Sequence, residues 1–407
     1  MQKSRLRRYA RLIARKGANV QKGQDVIVNT GLEQPEFVAM VTDELYKAGA
    51  RKVFVKFNYP QLEKYHVRHR TLKAQGTVEP FEEAEVKYMA EHLCARVALV
   101  TADPDALKGV DVERMNKGRK PRGTVTGKYT AKMGGKCQWS VAAVPGKAWA
   151  KKVFPNERAG RAMELLWEAI LSAARVDDDP VAAWNAHNAD IVERNRYLTE
   201  LGIEELEYCA SNGTNLRVGL IEGSRFCGGG ESTDKGVYYH PNIPTEESFT
   251  TPHRERVDGV VYSTKPLVWQ GQIIENFCLR FEKGKVVEAH AEQGNEALQR
   301  MLSMDAGASY LGECALVPFD SPINQTGLLF YNTLFDENAC CHLALGRGFK
   351  SAVPDHQGLS KEEWIALGVN HSGIHVDFMI GTADMSVIAH CRDGKTVEIF
   401  KDGTWAF

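Results

Sequence analysis

Asp25-Val-Ile-Val-Asn-Thr30, then PEFVAMVTDELYKA over residues 35–48, then Lys52-Val-Phe-Val-Lys-Phe57 decide the fold of the first half of the chain. The first and third runs are short apolar strands. The second has helical spacing and ends at Gly49, a plausible C-cap. A strand, a helical crossover and a second strand imply parallel pairing with a right-handed connection. The same grammar extends outward. A basic amphipathic helix at about residues 4–16 precedes the unit, and a helix over 81–95 with strands at Arg96–Ala102 and Gln138–Pro145 continues it. The expected class is an α/β domain with a parallel sheet. Two long helical patterns follow, Glu157–Arg175 and Pro180–Leu201, where Asp179-Pro180 has the N-cap and N1 signature.

Beyond residue 204 the pattern changes to short strands and turns. Glu207–Ser211, Leu216–Ile221, Gly259–Ser263 and Phe277–Phe281 are strand-like, Lys283-Gly284-Lys285 and Asp393-Gly394 are hairpin turns, and one helix is expected at about 294–304. The expected organisation is an α/β domain over 1–180, and an antiparallel-rich α+β domain over 181–407 that carries the chemistry.

Composition narrows the function. The chain has 407 residues, 43% hydrophobic and 25% charged, and a net charge of −1. Such a balance gives no field that favours nucleic acid or an anionic membrane. The cluster Arg5, Arg7, Arg8, Arg11 and Arg15 shares a helical pattern with Leu6, Leu12 and Ile13 and is a solvated helix face. No run approaches the ~20 apolar residues of a membrane span, and the charged N-terminus has no secretory core. Nine cysteines without C-x-x-C spacing, two of them adjacent at Cys340-Cys341, suit reduced thiols in a cytoplasm. A phosphate loop is missing too: Gly134-Gly135-Lys136-Cys137 lacks the first glycine and the terminal hydroxyl of that motif.

The chemistry gathers between Glu246 and Asp377. In Gly373-Ile-His-Val-Asp-Phe-Met-Ile380, a strand-like run, His375 and Asp377 fall on one face about 6.6 Å apart along the strand. Glu337 and His342 lie five apart and converge only through a turn. Glu313 sits inside the apolar Tyr310–Val317, where a carboxylate is costly unless paired or metal-bound. Glu246 and Glu247 follow Thr245, which is equally a helix cap with the acids completing it. Each piece alone also has an ordinary structural reading. Jointly they offer carboxylates and two imidazoles, a mixed oxygen and nitrogen set suited to zinc, cobalt or manganese. A carboxylate shared by two ions about 3.5–4 Å apart lowers the pKa of a shared water and polarises a carbonyl, the machinery of an amidohydrolase or aminopeptidase.

Asn242-Ile-Pro-Thr-Glu-Glu-Ser-Phe-Thr250, Leu311-Gly-Glu313, Phe335-Asp-Glu-Asn338, His342-Leu-Ala-Leu-Gly346 and Ile374-His-Val-Asp377 resemble the aminopeptidase T and aminopeptidase S family of bacterial metallopeptidases. Tyr9-Ala-Arg-Leu-Ile13 with Val20-Gln-Lys-Gly23, and Gln138-Trp139 through Trp149-Ala150, extend the resemblance over most of the chain. It implies a pair of divalent ions (zinc, cobalt, manganese or magnesium), release of N-terminal residues from short peptides, and a homodimer. Carried over, Glu247, Glu313, Glu337, His342, His375 and Asp377 fall on the metal-site positions; of these, Glu313 is our choice for the bridging ligand. Glu246 or Glu247 serves as general base, whichever is not the ligand. The sequence departs from the family at Phe349, where a tyrosine is usual. A catalytically weak or inactive member that binds metal or peptide is therefore the alternative.

Overall fold

Uninterrupted β-branched residues form strands where both sheet faces are covered. In the computed structural model, which describes residues 2–101, 103, 106–353 and 358–407, Val26, Ile27 and Val28 are buried together on the central strand Asp25–Thr30. Five strands make the sheet, in the order Lys52–Phe57, Asp25–Thr30, Ala95–Val100, Trp139–Ala143 and Asn242–Ile243. Every adjacent pair is parallel, so the α/β class expected from the first three runs is the one observed. The strand expected to reach Ala102 ends at Val100, and Ala102 lies outside the described residues. Tyr9 stacks on Phe37 and meets Trp167 edge-on, which joins the helices Lys3–Leu12, Pro35–Ala48 and Ala159–Ala173 over one apolar layer.

The 22-residue helix Val112–Met133 has no clear sequence signature, because Gly118, Pro121, Gly123 and Gly127 interrupt its pattern. Tertiary partners hold it instead: Asp111 caps it through the Arg114 amide at 2.9 Å, Arg122 pairs with Glu82, and Tyr129 donates to Glu83.

Two compact units result. One comprises Met1–Ala186 with Gly230–Pro244, and the other His187–Gly229 with Thr245–Phe407. The excursion of residues 230–244 supplies the fifth strand of the parallel sheet. The second unit holds a nine-stranded antiparallel sheet and a four-stranded antiparallel one. Among the described residues no helix is long and apolar enough to cross a membrane, and none of the nine cysteines is in a disulfide.

The four-stranded sheet is ordered Ser248–Thr250, Leu311–Leu316, His342–Gly346 and His375–Met379. Its register sorts side chains by face, since residues directly opposite in an antiparallel pair point the same way. Leu343 lies opposite Cys314 and Phe378, and Leu345 opposite Leu311 and Val376. These residues face the hydrophobic core. Glu313 lies opposite Ala344, Ala344 opposite Asp377, and Gly346 opposite His375. That row, with His342, is the other face.

A bulge between Leu311 and Glu313 lets Leu311 join the core face while Glu313 joins the polar one. Gly312 is required there, because a Cβ would lie 2.4 Å from the Arg347 carbonyl oxygen. Gly346 has φ +103°, and a Cβ on it would lie 2.2 Å from the Ile374 carbonyl oxygen.

Candidate metal centre

Strand pleating converts the spaced residues of the sequence into one cluster. On the edge strand, His375 Nε2 lies 3.1 Å from Asp377 Oδ1, and across the sheet it lies 3.0 Å from Glu313 Oε2. Ala344, between the two carboxylates, carries only a methyl group into that space. His342 Nε2 lies 3.4 Å from Glu247 Oε2. Two triads of potential ligands follow: Glu247, Glu313 and His342 form one, and Glu313, His375 and Asp377 the other, with ligand atoms in each within 4.8 Å of one another. Glu313 belongs to both. Ligands about 2.0–2.1 Å from a tetrahedral ion are separated by roughly 3.3–3.4 Å. The spacings around His375 and His342 are close to that edge length.

The imidazole of His375 is oriented from behind. Its Nδ1 lies 2.7 Å from the Arg347 carbonyl oxygen, so the Nδ1–H donates there and the Nε2 lone pair is left for a cation. His342 is buried, and among the described residues its Nδ1 has no hydrogen-bond partner. Phe349 closes the same corner: its ring meets His375 edge-on at 4.8 Å, and its backbone exchanges hydrogen bonds with the Thr251 hydroxyl.

Charge in the cluster is unbalanced. Burial raises the Glu313 carboxyl above the ordinary carboxylate range, and the nearby Glu247 and Asp377 charges reinforce this against the His375 hydrogen bond. Glu337 is pushed well above that range, by burial first and then by Asp377, Glu247 and Glu313. Burial opposes a charged imidazole, yet the Glu247 hydrogen bond and the neighbouring carboxylates raise His342. His375 is raised in the same way by Asp377 and Glu313. Asp377 alone is lowered: the His375 hydrogen bond and charge outweigh its burial. Four carboxylates and two imidazoles are thus crowded into a largely buried cluster, a condition that divalent cations relieve. The donor set fits them.

The remaining sequence candidates are placed as follows. Glu337 begins a short 3₁₀ turn, Glu337–Ala339, after the helix Thr333–Asp336, and this turn supplies the reversal that its spacing from His342 requires. Its carboxyl stands within electrostatic reach of the cluster without belonging to either triad. Glu246 also stands outside both triads. Its carboxylate lies 3.7 Å from His187 Nε2, and its charge raises the nearby Arg194 guanidinium against the larger, lowering effect of burial.

Several positioning residues have no sequence signal of their own. His187 Nε2 is 2.8 Å from the Thr245 carbonyl oxygen. Asn338, wholly buried, accepts from the Glu246 amide at 2.7 Å and donates to the Leu334 carbonyl at 3.0 Å, tying the two ligand segments together. Asn370 donates to the Gly346 carbonyl at 2.6 Å and the Gly307 carbonyl at 2.8 Å. Only the alternation of small residues in His342-Leu-Ala-Leu-Gly346 hints that one face of that strand is kept open.

Comparison with known proteins identifies the family. The family model "Thermophilic metalloprotease (M29)" matches residues 2–405. The chain is 41% identical to Aminopeptidase 2 of Geobacillus stearothermophilus, over 99% of this chain and 98% of that protein. It is 40% identical to Aminopeptidase AmpS of Bacillus subtilis, with the same coverage. Wild-type AmpT from Thermus thermophilus superposes with a TM-score of 0.91 at 36% identity, covering 100% of both chains. A 2,5-dihydroxypyridine dioxygenase from Pseudomonas putida shares the fold alone, with a TM-score of 0.52 and 12% identity. The same scaffold therefore carries more than one chemistry, and the site must decide. The chain belongs to the M29 family of metalloproteases, a hydrolase family that includes these aminopeptidases.

Proposed function

We propose that this metal-dependent aminopeptidase works through two divalent ions that share Glu313, and that it releases N-terminal residues from short peptides. The observation that carries this reading is the membership of Glu313 in both ligand triads. Glu247 and His342 hold one ion, His375 and Asp377 the other, and Glu337 completes the set from the adjoining turn. Zinc, cobalt, manganese and magnesium all accept these donors, and supply decides among them. Charge supports the count: four carboxylates balance two divalent ions.

Such ions supply a water of lowered pKa and polarise the scissile carbonyl. The protein's own residues do the rest. Arg347 fixes the tautomer of His375, and Ala344 and Gly346 leave room above the sheet for a peptide. The carboxylate cluster attracts the substrate's free α-ammonium group. With Glu247 committed to the cluster, Glu246, whose carboxylate lies 3.7 Å from His187 Nε2, serves as general base and passes the proton from the water to the departing amine. The homodimer rests on the family resemblance alone.

Substitution divides the pair. Glu246→Gln keeps the bound metal and lowers kcat by about 10²–10⁴-fold, the range of a lost general base, whereas Glu247→Gln loses metal. Metal loss in Glu246→Gln, or full turnover, contradicts the assignment. One observation favours a second reading. Phe349 places an apolar ring against His375 where the resemblance implies a phenol, which suits a weakly active member that retains peptide binding. Cleavage of a peptide with a free N-terminus, assayed with added zinc or cobalt and then with chelator, separates the two. Absence of chelator-sensitive cleavage with every ion tried would favour the second.

A further inference from the structure

The ligand face of the four-stranded sheet carries an aromatic wall as well as charge. Phe249, two residues after Glu247, lies opposite Ala315, and Ala315 lies opposite His342. Opposite residues in an antiparallel pair point the same way, so the Phe249 side chain rises on the face of the metal ligands. Phe349 follows the strand His342–Gly346, and the Thr251 hydroxyl pins its backbone, accepting from the amide at 2.8 Å and donating to the carbonyl at 3.0 Å. Held there, its ring reaches both ways: its centre lies 4.8 Å from that of His375 and 5.1 Å from that of Phe249. The wall therefore starts at a ligand of one triad and ends in the strand that follows Glu247, a ligand of the other. Neither ring joins the hydrophobic core beneath the sheet, and both stay partly exposed. Ala315, Ala344 and Gly346, on the same face, carry at most a methyl group.

In an aminopeptidase, the substrate's ammonium group and scissile carbonyl are attached to one Cα, and the side chain of the N-terminal residue leaves from that same atom. One residue spans at most about 3.3–3.6 Å of chain, so this side chain meets whatever surface borders the ligands directly. On the ligand face, Phe249 and Phe349 make that border apolar. We infer that these two rings form the wall of the pocket for the first side chain of the peptide, and that they select aromatic and large aliphatic N-terminal residues over small and acidic ones. The rings are tilted by 55° to each other, and Phe349 by 62° to His375, so faces and edges are both offered to a third ring or an aliphatic chain. A carboxylate placed against them loses water without gaining a partner.

This inference rests on the aminopeptidase reading, and its test separates the two. The metal-loaded wild type is assayed with X-Gly-Gly peptides in which X is Phe, Leu, Ala or Asp. It is also titrated calorimetrically with the hydroxamates of phenylalanine and alanine, which chelate metal and hold no peptide bond. The wild type is expected to favour Phe and Leu over Ala by about 10–200-fold in kcat/KM, the scale of methylene contacts in an apolar pocket. Asp should fall below Ala, and the phenylalanine hydroxamate should bind at least about tenfold tighter than the alanine one. Phe249→Ala is expected to lower both Phe-to-Ala ratios by about tenfold. Phe249→Leu, the milder change to the fold, keeps the wall apolar and should shift the preference from Phe towards Leu by about threefold, the scale of one aromatic pair. Both variants leave in place the two backbone hydrogen bonds of 2.8 Å between Phe249 and Cys227. Cleavage with no Phe preference in the wild type, or ratios that both variants leave unchanged, overturns the wall and leaves the aminopeptidase reading intact. Phe-selective binding without cleavage of any of the peptides overturns the aminopeptidase reading and leaves the wall.

Discussion

Asp25 and Glu313 are both buried carboxylates on central strands, each 3% exposed, and they titrate in opposite directions. Asp25, in the parallel sheet, accepts from Arg51 Nε at 2.8 Å and Nη2 at 2.6 Å, and from the Tyr88 hydroxyl. The Arg51 hydrogen bonds hold it below the ordinary carboxylate range despite its burial. Glu313, in the antiparallel sheet, has imidazoles and further carboxylates as neighbours and is raised. One buried acid is completed by a single arginine of the fold, and the other shares two imidazoles with three further carboxylates, an excess of negative charge that divalent cations would offset. The difference separates a structural ion pair from a metal site more clearly than burial alone.

Four substitutions break or sharpen that contrast. Glu313→Ala removes the residue common to both triads and is expected to abolish bound metal. If the ions contribute ~4 kcal/mol to the barrier, activity falls about a thousandfold; metal analysis and kcat/KM check both. Ala344→Val fills the space between the Glu313 and Asp377 carboxylates. Metal affinity should fall by about 10–100-fold, the effect of disturbing ligand orientation, while circular dichroism remains native. Phe349→Tyr adds a donor beside His375 and should raise kcat by about tenfold, within the range of a single transition-state hydrogen bond; an unchanged kcat would show that the phenylalanine is no defect.

Arg51→Met carries the smallest effect on catalysis, none, and acts on stability. Because Asp25 is lowered in the folded state, it contributes stability above its ordinary pKa, and this contribution is lost as pH falls through the folded value. The variant should therefore melt a few degrees below the wild type at pH 7, and the gap should narrow as pH falls below the ordinary carboxylate range. Equal melting temperatures at neutral pH would remove Asp25 as a completed counterpart of Glu313.

The parallel sheet was legible because its strands are continuous apolar runs with helices between them. The helix Val112–Met133 was not, since its glycines and Pro121 obscure the period and its stability comes from Glu82, Glu83 and Asp111. Residues 242–243 gave no sign that they join a sheet whose other strands end at residue 143. At the site, the shared face of His375 and Asp377 followed from the period of a strand, and the cost of burying Glu313 singled it out. Asn338, His187 and Asn370 escaped notice because a buried amide or imidazole acquires its role from the backbone it meets.

The central claim is that Glu313 joins two ions. A crystal soaked in cobalt and measured at the cobalt absorption edge tests it most directly. Two anomalous peaks about 3.5–4 Å apart, each in contact with a Glu313 oxygen, are the predicted result. A single peak, or a second one beyond the reach of Glu313, would contradict the account.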